Sequence, residues 1–152
     1  MVERAMSEIR ILLASDKEAV LQRGLELLAL KVSDPMEREM QSWSAPWRSE
    51  ALDHYLPQGW SYGEFEGDRL RGFLLAQPFL FHRGHTQTLW VECVGAETAE
   101  VAERLIDTAW RWARDKHFQC LLLESAEDWA KALASRRPHP AAPLIELRTT
   151  RT

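Results

Sequence analysis

The spacing of apolar residues changes along the chain, and each change marks an element. Ile9-Arg-Ile-Leu-Leu13 is a short apolar run that predicts a first strand. Ser15-Asp-Lys-Glu18 then has the form of a capping box, and Leu21, Leu25, Leu28 and Val32 follow at helical spacing. Asp34-Pro-Met-Glu37 signals a second helix, with Pro35 at the first helical position, where a missing N–H costs nothing. The stretch 42–59 carries Trp43, Trp47, His54 and Tyr55 among prolines and reads as a short helix bounded by loops.

The period then shortens. Trp60 to Glu66, the turn Gly67-Asp68-Arg69 and the run Leu70 to Ala76 predict a hairpin. After Pro78 and a turn containing Gly84, Thr88 to Val94 is the next strand, followed by a helix from about 98 to 117 and a strand from Gln119 to Glu124. A crossover of that length implies that the two strands are parallel. Val101, Leu105, Ala109 and Trp112 form the apolar row of the helix, with Ala102, Ile106 and Ala113 beside it. Glu97, Glu100 and Glu103 lie at its start and Arg111, Arg114 and Lys116 at its end, as the helix dipole favours. The helix ends without glycine, so His117 is expected in the left-handed terminating conformation. Ser125-Ala-Glu-Asp128 starts another helix carrying Trp129 and Leu133, the prolines after Arg137 end it, and Leu144 to Leu147 is a last short strand.

Composition narrows the classes. With 152 residues, 45% hydrophobic and 28% charged, the chain is expected to form one domain, 1–152, with a core that needs no staples. A net charge of -4 leaves no electrostatic footprint for nucleic acid, and no apolar run reaches membrane-spanning length. Cys93 and Cys120 sit among apolar strand neighbours, where free cysteine acts as a small hydrophobe. The first residues do not combine a basic stretch, an apolar core and a small-residue cleavage site, so a cytoplasmic location is expected. His82-Arg-Gly-His85 lies in a turn without a third ligand nearby, and no metal is assigned. There is no Ser-His-Asp or Cys-His motif for a hydrolase.

The element order β-α-α-β-β-β-α-β-α-β resembles the GNAT superfamily of acyl-CoA-dependent N-acyltransferases, an α/β (α+β) fold with a mixed central sheet flanked by helices. The resemblance covers nearly the whole chain. Thr88-Leu-Trp-Val-Glu-Cys-Val94, the helix from Val101 to Ala113 and the stretch Phe118 to Glu124 are similar to the family's fourth strand, cofactor helix and fifth strand. The resemblance implies that the fourth strand, here Val91, Cys93 and Val94, offers backbone hydrogen bonds to the pantetheine arm of acetyl-CoA. It also implies that the loop before the helix presents amides to the pyrophosphate, as free N–H groups at a helix start bind anions.

With Leu105 on the apolar position after the family's Gln/Arg-x-x-Gly-x-Gly/Ala pattern, Glu97 stands where Gln or Arg is expected and Glu100 on the first Gly. Ala102 matches the permissive Gly/Ala position. This is a degenerate pyrophosphate loop, whose two carboxylates are expected to repel phosphate and equally serve to complement the helix dipole. Glu92 lies in the fourth strand, where some family members carry a general base. Strict alternation puts it on one face with Trp90 and Val94, and Leu89, Val91 and Cys93 on the other. The family's frequent tyrosine acid after the fifth strand has no counterpart. Trp43, Trp47 and Tyr55 are read either as an acceptor wall or as ordinary core aromatics. Two functions follow: an atypical acetyl-CoA N-acyltransferase acting on a small-molecule or protein amine, or a non-catalytic GNAT-like module that has lost acyl-CoA binding and associates with a protein partner or with itself.

Overall fold

A computed structural model describes residues 6–124, 138 and 145–149. Its strands are β1 (Ser7–Ile11), β2 (Tyr62–Glu66), β3 (Arg69–His82), β4 (His85–Ala96) and β5 (Cys120–Leu123), and they form one sheet in chain order. The first three pairings are antiparallel, and β4 with β5 is parallel, as the long crossover implies. Helices α1 (Lys17–Lys31), α2 (Pro35–Trp43) and α3 (Ser49–Tyr55) precede the hairpin, and α4 (Ala99–Asp115) links β4 to β5. One core, with Val20, Leu52, Tyr55, Phe73 and Leu75, joins α1 and α3 to one face of the sheet. The other, with Leu74, Leu89, Val91, Val101, Leu105 and Ala109, joins α4 to the opposite face.

Helix α4 follows the sequence at both ends. The Thr98 hydroxyl accepts from the Val101 amide at 3.2 Å. At the other end His117 has φ 65°, while the amides of His117 and Phe118 return to the carbonyls of Arg114 and Ala113. That is the paired hydrogen-bond pattern of a Schellman terminus, with histidine in the place glycine usually takes. Leu105 and Ala109 are fully buried, but Trp112 is 43% exposed. The buried row passes to Ala113, and the Trp112 ring lies at the helix edge against Tyr62, 5.6 Å between centroids.

Helix α1 departs from its expected stripe. It buries Val20 and Gly24, and leaves Leu25 37% exposed. Gly24 is there because Trp47 packs on it: a Cβ at this position would lie 2.5 Å from a ring carbon. Nor does Ser15 cap the helix; a short 3-10 turn, Ala14–Asp16, comes first, and the Asp16 carboxylate accepts from the Leu13 amide at 2.7 Å. Asp16 is fixed in turn by a two-pronged bond from Arg10, 2.9 Å on each prong. The second helix starts as read, on Asp34 and Pro35.

The β3–β4 hairpin is longer than the sequence suggests. It runs through Pro78 and closes on Arg83 and Gly84, both at positive φ as a two-residue hairpin turn requires. Pro78 is tolerated because β2 pairs with β3 only as far as Leu74. The Ala76 amide, on the β2 side, donates to Ser61 Oγ at 3.1 Å, and two residues on Pro78 needs no donor on that side.

Two bulges interrupt the ladders, and each falls on a charged residue. Glu64 pairs with Gly72 and Phe65 with Leu70, skipping Arg71; Leu75 pairs with Cys93 and Ala76 with Val91, skipping Glu92. The second bulge overturns strict alternation in β4. Leu89 and Val91 face α4, Cys93 packs into the opposite core, and Val94 and Ala96 return to α4. The helix expected from Ser125 lies outside the described residues. Ile145 and Leu147, expected in a last short strand, are 87% and 86% exposed and belong to no strand.

Candidate functional site

The bulge directs Glu92 toward α3. Its Oε2 accepts from the Tyr55 hydroxyl at 3.1 Å and from the Trp90 indole N–H at 2.7 Å. Among the described residues, Oε1 has no donor. Burial, with the adjacent Glu92 charge, raises the Tyr55 pKa far above that of a free phenol, so Tyr55 stays protonated and donates to the carboxylate. Around this group, Trp90 stacks on Phe79 at 5.8 Å and 4°, and His54 Nε2 lies 2.6 Å from Gln77 Oε1. Burial likewise pushes the Cys93 thiol up, which keeps it a neutral core group.

Next to Glu92, β4 loses its neighbour. Strand β5 pairs only with Thr88, Leu89, Trp90 and Val91. From the bulge to Ala96, this edge of β4 has no strand partner among the described residues. A cleft of about 460 Å³ lies along the same stretch, lined by Cys93 to Ala99 and Ala102 on one side and by Gly24, Leu27, Lys31 and Trp47 on the other. Of the residues the sequence nominates, Cys93, Val94, Glu97 and Ala102 therefore come together. Val91 is buried against α4, and Glu100 is exposed outside the cleft lining.

Glu97 differs from the isolated anion expected. Arg71 Nε donates to it at 2.7 Å, and Arg69 forms a second, close ion pair. Burial opposes its ionisation, but the bonds from Arg71 and Arg69 outweigh that and hold its pKa below the usual range. Arg71 reaches Glu97 and the buried Glu64 because the β3 bulge turns it that way. The repulsion of phosphate by Glu97 is thus offset locally. The first amides of α4 have no partner within the helix; Thr98 takes that of Val101, and Ala99 lies in the cleft lining. The small Ala99 and Ala102 side chains leave this end accessible.

Sequence reasoning put Trp90 on one face with Glu92, considered Tyr55 only as an aromatic of the wall or of the core, and missed Arg69 and Arg71 as partners of Glu97. Trp43 is 67% exposed and lies outside the cleft lining, whereas Trp47 lines the cleft. Among the described residues, no group of three His, Cys, Asp or Glu is placed to hold a metal.

No family model matches the sequence, and no curated protein does. Solved structures do match. A GCN5-related N-acetyltransferase from Ralstonia eutropha JMP134 superposes with a TM-score of 0.66 at 15% identity, over 95% of this chain and 100% of that one. The chain has the GNAT fold. The GNAT arrangement is shared by aminoglycoside N-acetyltransferase AAC(6')-Iy in complex with CoA, at TM-score 0.64 and 16% identity over 98% and 99% of the two chains. A predicted acetyltransferase from Clostridium acetobutylicum with acetyl-CoA matches the same GNAT fold at TM-score 0.67 and 10% identity, over 94% and 96%. No helix among the described residues is long and apolar enough to cross a membrane.

Proposed function

We propose that the protein is an acyl-CoA-dependent N-acyltransferase, with acetyl-CoA as donor and an amine as acceptor. The observation that carries this reading is the open edge of β4, which begins at the bulged Glu92 and runs along the cleft to the start of α4. Unpaired strand amides and carbonyls suit the amides of a pantetheine arm. The start of α4, with Ala99 in the cleft lining, suits a pyrophosphate. Lys31 across the cleft adds a cation, and the pairing of Glu97 with Arg69 and Arg71 removes the main objection. When bound, the donor supplies an activated thioester carbonyl.

The chain's own residues then have defined tasks. Glu92 Oε1 accepts the proton that an ammonium must lose before its nitrogen can attack. Tyr55 and Trp90 hold Oε2 and so fix the direction in which Oε1 points. Replacing Glu92 by Gln keeps the shape and removes the base. Turnover, followed as CoA thiol released from acetyl-CoA in the presence of amines, is expected to fall by about 10²-fold or more, while calorimetric binding of acetyl-CoA persists. Equal turnover by both proteins would remove Glu92 from the mechanism.

A second reading rests on α2. Met36, Met40 and Trp43 lie on one side of this helix at spacings of four and three and are 72%, 57% and 67% exposed. A stripe of that kind fits a module that associates with a protein partner. Absence of acetyl-CoA binding by the wild-type protein in calorimetry would favour it.

A further inference from the structure

Between Glu92 and the tip of the β3–β4 hairpin, one face of the sheet carries Trp90, Gln77, Phe79 and His82, all at least partly accessible. We propose that this strip is the acceptor site, and that it takes a monoamine whose ammonium is followed by a flat aromatic group. The proposal rests on the acyltransferase reading for the role of Glu92 and names the acceptor class.

The geometry sets both requirements. At one end, Glu92 offers the open Oε1, a fit for an ammonium. The Trp90 N–H bonded to Oε2 turns the edge of the indole toward the carboxylate, so its ring plane extends away from that anchor. Phe79, on the neighbouring strand, stands parallel to Trp90 and stacked with it, 4° and 5.8 Å away, and the His82 ring lies beside Phe79 at 5.6 Å, tilted by 55°. Gln77, opposite Trp90 in the register, is tied back to His54. The strip is therefore aromatic along its length and anionic at one end.

Among the described residues, charge favours a monoamine over a polyamine. A second ammonium along the strip would need a second carboxylate. Asp53 of α3 is held by Lys17 at 2.8 Å, and Glu50 lies beside Arg48. A neutral ring packed beside the Trp90–Phe79 pair needs no second carboxylate.

The test uses the full-length protein and three amines: 2-phenylethylamine, butylamine and spermidine. Binding is read first without acyl donor, by calorimetry and by the tryptophan signals in NMR spectra. The expected result is about tenfold tighter binding of 2-phenylethylamine than of either other amine. Phe79→Leu should weaken that binding by about three- to tenfold, and Phe79→Tyr, which keeps the ring, should retain it, which separates stacking from a loss of folding. Equal affinities, tightest binding of spermidine, or no effect of Phe79→Leu would overturn the proposal. Thiol release from acetyl-CoA is then measured with the same amines. Selective binding of 2-phenylethylamine without thiol release would sink the acyltransferase reading and leave the aromatic-amine site standing; thiol release with no preference among the three would do the reverse.

Discussion

Glu92 and Gly24 show how single residues set this site. Glu92 points at α3 because it is the extra residue of a bulge, and Gly24 exists because the Trp47 ring fills the space of its missing side chain. Gly24→Ala puts two effects in opposition. Alanine favours a helix over glycine by about 1 kcal/mol, but overpacking typically costs about 1 to 3 kcal/mol. The clashing atoms belong to the fused part of the Trp47 ring, so the whole indole must move. The second effect should win, and a lowered denaturation midpoint together with a changed acetyl-CoA affinity is expected, because Trp47 lines the cleft. An unchanged midpoint would mean that the ring moves at no cost. The sequence could not have indicated this: Gly24 and Trp47 are joined only by tertiary packing, and in the sequence glycine in a helical pattern looks like a weak point.

At the scale of elements, what was legible is what is local. The Asp34–Pro35 start of α2, the Thr98 start of α4 and the left-handed His117 each depend on residues within one turn, and each is where the sequence puts it. The bulges at Arg71 and Glu92, and the extension of β3 through Pro78, depend on how long a neighbouring strand runs, which no local pattern records. The apolar stripe of α4 is intermediate: its centre was right and its C-terminal edge, at Trp112, was not. Leu105 lies at that centre with no exposure, and Leu105→Ala is expected to cost about 2 to 5 kcal/mol through lost burial and a residual cavity. Arg111 is exposed and pairs with Asp107 one turn away, an interaction worth about 0.3 to 0.5 kcal/mol. Urea midpoints of Leu105→Ala and Arg111→Ala should therefore differ clearly, and equal losses would show that the packing face of α4 is wrong.

For the molecule as a whole, acid should act through two carboxylates at distant places. Asp16, held by Arg10, and Glu97, held by Arg71 and Arg69, both have lowered pKa values in the folded chain. A group lowered on folding contributes stability above its unfolded value, about 4, and that contribution is lost as pH falls through the folded value. The unfolding free energy should thus be flat near neutrality and fall below about pH 4. In Asp16→Asn the fall should be shallower, and an identical profile would show that this pair does not stabilise the fold.

The open edge of β4 has a kinetic consequence as well. A single continuous strand is held on its β5 side only up to Val91. Amides locked between strands exchange with solvent only when the structure opens, whereas unpaired ones exchange without that step. Deuterium uptake should accordingly break in the middle of β4, slow at the β5-facing amides from Thr88 to Val91 and fast at those on the same side from Glu92 to Ala96. Saturating acetyl-CoA should slow the fast set and leave the slow set unchanged. A uniform response along the strand would place the donor elsewhere.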